Sequence, residues 1–198
     1  MNLLKKYSGD IVVSNEDIDE LEYEIYLKVS DFKQLKNAKY SEHQEQWQMR
    51  FNKGPLAVKV RSRKCIRDGD IKYYLTTKLD LEDVDAAWEL EDEVTRLHYE
   101  EIRDLSDNGM IKERYFFPIN GTDLVWEVDV FSDDNGEFIE WVKIDLEVPH
   151  RLAKLPELPI EGTEVILAQK GERTEEEINL IDKLYSEHFI ISPKKKIN

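Results

Sequence analysis

Residues 56–78 read LAVKVRSRKCIRDGDIKYYLTTK, a stretch that predicts two antiparallel strands joined by a tight turn. Charged and apolar residues alternate in its first half, so the charged side chains share one face of the strand. Asp68-Gly69 is a typical hairpin-turn pair. The second half continues the alternation, with Thr76 in phase. The hairpin therefore presents one basic face, which is formed by Lys59, Arg61, Arg63 and Lys78.

The same period of two recurs on both sides of this hairpin. Alternating apolar and charged residues predict further strands near 20–29, 46–51, 87–94, 110–117, 123–131 and 138–148. Helical spacing is predicted near 94–106, and a capping box at 174–177 opens a C-terminal helical segment over 174–190. Eight strands are enough to close a sheet into a barrel. We therefore predict an α+β fold, mainly antiparallel β, with about eight strands closed into a tunnel-like barrel that has a polar interior and helices packed outside.

Length and composition limit the class of protein. The 198 residues fit a single domain, whose core we expect at about 20–148. No run of 18 apolar residues is present, so no membrane-spanning helix is expected. A net charge of −15 argues against a duplex nucleic acid as partner. Cys65 is the single cysteine, which excludes an intramolecular disulfide and favours a cytoplasmic location. The sequence leaves the oligomeric state open.

The charged faces of the predicted strands are sorted by sign. The first, fifth, seventh and eighth strands are acidic, and the third, fourth and sixth are basic; the eighth carries Asp145 and Glu147 together with Lys143. A single strand of this kind is usually a solvated surface. If a barrel turns all of them inward, arginine and lysine pairs can hold phosphate oxygens. Carboxylate pairs can then chelate a hard divalent cation such as Mg²⁺ or Mn²⁺.

The order and spacing of these segments resemble the CYTH superfamily, the triphosphate tunnel metalloenzymes, from about residue 20 to residue 148. The segments that carry the resemblance are the hairpin with its R-x-R and L-T-x-K patterns, IKERYFF, VWEVDVF and IDLEV, with a weaker similarity in LPIEGTEVILA. The family includes thiamine-triphosphatases, inorganic triphosphatases, RNA triphosphatases and class IV adenylate cyclases. Membership would imply a small triphosphate-containing substrate and Mg²⁺ or Mn²⁺ as cofactor.

The resemblance also implies roles for individual residues. The implied phosphate-binding cations are Lys59, Arg61, Arg63, Lys78, Lys112 and Arg114. The implied metal ligands are Glu22, Glu24, Asp129, Asp145 and Glu147. The implied catalytic residues are Glu22, Glu24, Lys28, Glu89, Glu91 and Asp145. Among these, Glu89, Glu91 and Asp145 resemble the supports of a second metal thought to activate water in the family.

Two positions depart from the family pattern. The lysine of the E-x-E-x-K signature is replaced by Tyr26, with Lys28 two residues further along the same face. The arginine that usually precedes the second acid pair is replaced by Ala87. Because tyrosine cannot supply the positive charge of lysine, either Lys28 reaches into the site or the chemistry differs.

Three functions therefore remain open. The first is metal-dependent hydrolysis of an inorganic, organic or nucleoside triphosphate. The second is an adenylate cyclase of the class IV type, which makes cyclic AMP from ATP. The third is a protein that binds a triphosphate or nucleotide without turning it over. The recognisable motifs all address the triphosphate, so they do not select its organic part.

Overall fold

The computed structural model describes residues 21–53, 56–81, 84–106, 108–133, 135–149, 152, 154–169 and 173–191; of 21, 52–53, 56, 79–81, 84–89 and 164–169 it describes the backbone alone. Its strands are β1 (Leu21–Lys28), β2 (Tyr40–Lys53), β3 (Leu56–Arg67), β4 (Asp70–Leu81), β5 (Val84–Glu93), β6 (Asn108–Pro118), β7 (Val125–Ser132), β8 (Phe138–Val148) and β9 (Thr163–Gln169). The helices are a 3-10 helix (Phe32–Asn37), α1 (Arg96–Leu105) and α2 (Glu175–Leu184), which a π-helical turn (Tyr185–Phe189) follows.

The strands form one antiparallel sheet in the order β5-β4-β3-β2-β6-β7-β8-β1-β9. The prediction of an α+β fold dominated by antiparallel strands is confirmed. The sheet contains nine described strands where about eight were predicted. The additional strand is β9, which contains the TEVILA part of the LPIEGTEVILA segment and pairs with β1. No hydrogen-bonded pairing joins the edge strands β5 and β9 within the described residues, so the closed barrel is not confirmed.

The hairpin that opened the sequence argument forms as predicted. Strands β3 and β4 pair from Arg67 and Asp70 back to Leu56 and Leu81. Both turn residues have positive φ, 53° at Asp68 and 88° at Gly69. This left-handed conformation matches the right-handed twist of the flanking strands and explains the Asp-Gly pair.

Alternate residues of each strand face opposite sides of the sheet. We call the side that carries the charged residues the inner face and the other side the outer face. On the outer face, Val128, Val142, Ile144 and Leu146 are fully buried. The 3-10 helix and the segment around Ile160 cover them. Burying each such aliphatic side chain contributes about 1.5–3 kcal/mol, so this apolar layer holds β1, β7 and β8 in register.

The two α-helices cover different faces, which corrects the prediction that both pack outside. Helix α1 lies on the outer face, where the Trp47 Nε1 donates to the Tyr99 hydroxyl at 2.9 Å. Helix α2 begins at the predicted capping box on Thr174. It packs with its π-helical turn against Tyr26 and Phe131, which are inner-face residues. None of the described helices has the length and apolar composition that crossing a bilayer requires.

Candidate functional site

A cavity of about 560 Å³ lies on the inner face, and each of β1 to β8 contributes lining residues. The sheet therefore curls around it. Its volume falls within the range of small-molecule sites, about 300–1,000 Å³. Among the described side chains, the lining contains seven carboxylates and seven basic groups. Such a lining suits a highly charged ligand and disfavours an apolar one.

Most of the residues implied by the family resemblance line this cavity. The acidic ones are Glu22, Glu24, Glu91, Asp129, Asp145 and Glu147. The basic ones are Lys59, Arg61, Arg63, Lys78, Lys112 and Arg114.

Three positions from the sequence argument stand apart from this group. Lys28 lies outside the lining, with its Nζ 3.1 Å from Glu140 Oε1. Glu89 lies opposite Lys78 in the β4–β5 register, and Ala87 lies opposite Asp80. The side chains of Glu89 and Ala87 fall outside the described part of the structure. Lys28 is thus directed to a surface carboxylate and not into the cavity.

One side of the cavity, which we call the basic wall, is formed by β2, β3, β4 and β5. The register places Gln48, Arg61, Thr76 and Glu91 side by side across these four strands. Among the described side chains of this wall that line the cavity, four are basic and Glu91 is the acidic one. The wall therefore carries surplus positive charge toward the cavity.

Glu91 orients the two arginines of the basic wall. Arg63 Nη2 donates to both of its carboxylate oxygens, at 2.9 and 3.0 Å. The Thr76 hydroxyl donates to Glu91 Oε2 at 2.6 Å, and Arg61 Nη2 donates to the Thr76 hydroxyl at 3.3 Å. The side chains of Arg61, Arg63 and Glu91 remain 32%, 18% and 35% exposed. The arginines are thus held in place, and both line the cavity, where an anion can reach them.

The opposite side, which we call the acidic wall, is formed by β6, β7, β8 and β1. Its register places Asp129 directly between Arg114 and Lys143. Opposite charges that face each other across neighbouring strands stabilise the pairing. Lys112 and Arg114 both donate to the Asp129 carboxylate, and Arg114 also donates to Glu127. The Asp129 side chain is 1% exposed, so this network is buried.

Burial and neighbouring charge shift several pKa values in the acidic wall. Burial lowers the pKa of Lys112 to about 8, against the opposing effect of Asp129. Burial also acts to raise the pKa of Asp129, but Arg114 and Lys112 outweigh it, and the pKa lies below its usual value. The pKa of Asp145 is raised to about 7 by burial and by the charge of Asp129. Buried charges and strong neighbours cause shifts of this kind.

Glu22, Glu24 and Asp145 form a candidate metal site in the acidic wall. One oxygen from each carboxylate lies within 4.8 Å of the others. The β1–β8 register brings them together, because it pairs Glu24 with Asp145. Asp145 Oδ1 is buried and lies 2.8 Å from the Lys143 ammonium. Three converging carboxylates offer the oxygen ligands that a hard divalent cation such as Mg²⁺ or Mn²⁺ prefers.

The remaining two implied metal ligands occupy different surroundings. Asp129 accepts hydrogen bonds from Lys112 and Arg114 through both of its oxygens. Glu147 lies opposite Glu22 in the register and lines the cavity. Asp129 therefore neutralises buried cations, whereas Glu147 stays close to the three-carboxylate group.

Lys143 lies at the centre of this carboxylate group, although the sequence pattern alone implies no role for it. Its Nζ is 2.8 Å from Asp145 Oδ1, 3.0 Å from Glu24 Oε1 and 3.7 Å from Glu22 Oε1. The register places Lys143 directly opposite Tyr26, the position where the family signature has lysine. An ammonium from β8 therefore lies beside the Tyr26 position of β1.

A second cation that the sequence argument missed comes from the C-terminal segment. Arg173, which precedes the capping residue of α2, donates to Glu24 Oε2. The Tyr26 hydroxyl donates to the same oxygen at 3.2 Å. Burial raises the pKa of Tyr26 well above its usual value, so the hydroxyl stays protonated and can act as a donor. No motif marks Arg173, which lies between β9 and α2 and is separated from Glu24 by 149 positions in sequence.

Comparison with known proteins adds little to this description. No protein-family model matches the chain, and no curated protein matches it. Among solved structures, the chain is similar to the PH1819 protein from Pyrococcus horikoshii OT3, with 15% sequence identity and a TM-score of 0.41. The similarity covers 88% of this chain and 94% of that one. A likeness this distant carries no argument about function.

Proposed function

We propose that the protein is a divalent-metal-dependent phosphohydrolase that acts on a triphosphate group inside the inner-face cavity. The observation that supports this proposal is the separation of charge within one cavity: a basic wall faces a three-carboxylate group. A triphosphate with its metal ion carries this same pair of features. Membership of the CYTH superfamily, and closure of the curled sheet into a tunnel, are parts of the same proposal.

In this proposal the basic wall binds the phosphate oxygens. Arg61 and Arg63 donate charge-assisted hydrogen bonds, and Lys59 and Lys78 add positive charge along the same strands. Glu91 keeps the two arginines in place before the ligand arrives, which reduces the entropy lost on binding. Preorganised cations of this kind stabilise the charge that develops as a phosphoryl group leaves.

Glu22, Glu24 and Asp145 would hold the divalent cation. Once bound, it would neutralise phosphate charge and polarise the phosphoryl group. Asp129 holds Lys112 and Arg114 in fixed positions beside this group. The acidic wall therefore positions the metal end of the ligand, and the basic wall positions its phosphate chain.

The test is release of orthophosphate from inorganic triphosphate, ATP and thiamine triphosphate, each with Mg²⁺ or Mn²⁺ and with a chelator. We expect metal-dependent release from at least one of them, and loss of that release in Arg63→Ala. Arg67→Ala is the matched control, because Arg67 ends the same strand and lies over the Tyr40 ring outside the cavity lining. No release from any substrate would overturn the hydrolase proposal, and cyclic AMP from ATP would replace it with a cyclase.

A second candidate function is binding without turnover, and the position of Lys143 favours it. An ammonium already occupies the centre of the carboxylate group. A protein that senses or sequesters a triphosphate needs the basic wall but no metal. Tight calorimetric binding of inorganic triphosphate in the presence of a chelator, with no phosphate release on adding Mn²⁺, would select this candidate.

A further inference from the structure

The strongest unexplained feature of the cavity is the environment of Lys143. Its ammonium donates to Asp145 Oδ2 at 2.9 Å and lies 3.0 Å from Glu24 Oε1, with Glu22 Oε1 at 3.7 Å. The Lys143 side chain is 11% exposed. An ordinary structural ion pair needs one carboxylate, whereas this ammonium contacts three.

Carboxylates outnumber cations in the acidic wall as a whole. Its described lining contains six carboxylates, and the described cations in contact with them are Lys112, Arg114, Lys143 and Arg173, with Arg114 shared between Asp129, Glu127 and, at 3.8 Å, Asp145. The wall therefore keeps a surplus of negative charge that attracts a further cation. Asp145 Oδ1, which is buried and lies 2.8 Å from the Lys143 ammonium, belongs to this wall.

An ammonium and a divalent ion cannot occupy this position together. Mg²⁺ needs carboxylate oxygens at about 2.1 Å, and the same oxygens now lie around Nζ. At a separation of a few ångströms the two cations would also repel each other strongly in a partly buried site. One of the two cations must leave when the other is seated.

We propose that Lys143 is a built-in counter-ion that occupies the metal position between Glu22, Glu24 and Asp145 and is displaced when a divalent cation binds there. This inference rests on the metal site of the proposed function. The displaced ammonium can move into the cavity, because Lys143 is one of the residues that line the cavity. A phosphate in the cavity would attract the displaced ammonium. Metal and triphosphate therefore bind cooperatively, since each favours the displaced position of Lys143.

The test measures Mn²⁺ binding in the absence of any phosphate ligand. The electron paramagnetic resonance signal of free Mn²⁺ reports how much of the ion remains unbound. We compare the natural chain with Lys143→Met and with Lys72→Met. Lys72 is a matched control, because it pairs with Glu93 at 3.3 Å on the surface and lies outside the cavity lining. We expect Lys143→Met to bind Mn²⁺ at least about tenfold more tightly, since a competing cation has been removed, and Lys72→Met to bind like the natural chain.

Two further variants test whether the gain in Mn²⁺ affinity comes from the loss of positive charge at position 143 and whether the ion binds at Asp145. Lys143→Arg keeps the positive charge and should bind Mn²⁺ about as weakly as the natural chain. Asp145→Asn, added to Lys143→Met, should remove the gain in affinity. If Lys143→Met is unstable because three carboxylates then repel each other, Mn²⁺ should raise its melting temperature far more than that of the natural chain.

The outcomes separate this inference from the proposed function. Mn²⁺ affinity in Lys143→Met that is equal to or weaker than that of the natural chain overturns the counter-ion inference. So does a Lys143→Met protein that is destabilised and that Mn²⁺ does not stabilise. Tighter Mn²⁺ binding supports the inference even if no triphosphate is hydrolysed, because the measurement does not involve turnover.

Discussion

The two walls of the cavity use the same kinds of charged residue but arrange them differently. In the acidic wall, Arg114, Asp129 and Lys143 alternate in sign across three neighbouring strands, and their side chains are 17%, 1% and 11% exposed. In the basic wall, Arg61 and Glu91 are about one third exposed, and the cations outnumber the described carboxylate. The cations of the acidic wall are therefore paired mainly with carboxylates of the same wall. The basic wall, in contrast, has more cations than carboxylates, so positive charge remains available for a ligand.

This difference assigns different physical roles to similar side chains. A buried ion pair contributes little net stability, but removing one partner is costly because a charge is left unpaired. A pair that is about one third exposed, such as Arg61 with Glu91, is partly screened by water and contributes less than about 1 kcal/mol to folding. Mutations in the acidic wall should therefore affect folding first, and mutations in the basic wall should affect binding first.

The largest expected effect is that of Asp129→Asn. This change leaves Lys112 and Arg114 buried without their shared counter-charge. We expect the free energy of unfolding to fall by roughly 3–5 kcal/mol. Urea denaturation followed by tryptophan fluorescence measures it.

The matched control for Asp129→Asn is Glu91→Gln in the basic wall, which we expect to cost less than about 1 kcal/mol. Equal effects of the two variants on the free energy of unfolding would remove the distinction between the walls.

A smaller stability effect is expected for Glu24→Gln. Two facing glutamates on one strand suggest, from sequence alone, that removing one charge relieves repulsion and raises the melting temperature slightly. The contacts of Glu24 with Lys143 and Arg173 reverse this expectation, because the charge is already compensated. We expect the free energy of unfolding to fall by about 1.5–3 kcal/mol, the contribution of a hydrogen bond to a charged group, and Mn²⁺ binding to weaken.

Calorimetry and thermal denaturation of Glu24→Gln measure these two changes. A melting temperature above that of the natural chain would show that the carboxylates repel each other despite Lys143.

The basic wall should respond in binding and not in folding. Arg63→Ala removes one charge-assisted contact from the cavity, and we expect inorganic triphosphate to bind more weakly by about 1.5–3 kcal/mol. The free energy of unfolding should change by less than about 1 kcal/mol. Calorimetric titration gives the first quantity and urea denaturation the second.

Arg67→Ala serves as the control for Arg63→Ala, since Arg67 stacks on Tyr40 outside the lining. If Arg63→Ala unfolds far more easily but binds triphosphate normally, Arg63 has a structural role and the basic wall is not a binding surface.

The smallest expected effect concerns a charged pair on the outer face, away from both walls. His43 Nδ1 lies 2.5 Å from Glu113 Oε1, and the hydrogen bonds to Glu113 and Glu45 raise the pKa of His43 to about 9 from 6.5. A raised folded-state pKa adds stability that is complete below pH 6.5 and is lost as the pH rises through 9. The free energy of unfolding should therefore decline across this window more steeply in the natural chain than in His43→Gln.

Urea denaturation of the natural chain and His43→Gln at pH 6, 7.5 and 9 compares the two slopes. Parallel pH profiles would mean that the imidazolium makes no contribution to folding.

Much of the cavity lining could be predicted from local sequence. A period of two fixes which side chains share a face, so Arg61 with Arg63 and Lys112 with Arg114 follow directly from their spacing. The Asp68-Gly69 turn and the Thr174 capping box also depend on a few neighbouring residues, and both form as predicted.

The remaining features depend on long-range register, which local patterns do not encode. The position of Lys143 opposite Tyr26 requires the pairing of β1 with β8, strands more than 100 residues apart. Helix α2 has a buried stripe, but its sequence does not say which face of the sheet the stripe covers. Arg173 reaches Glu24 because α2 packs on the inner face, so its contact could not be predicted before that placement was known.

The most direct test of the account is a crystal soaked with Mn²⁺ and a non-hydrolysable triphosphate analogue, with diffraction recorded at the manganese absorption edge. The account predicts one anomalous peak among the oxygens of Glu22, Glu24 and Asp145, with the Lys143 ammonium displaced from it and the phosphate chain against Arg61 and Arg63. An analogue bound outside the inner-face cavity, or a cavity that contains neither Mn²⁺ nor analogue at saturating concentrations, would contradict it.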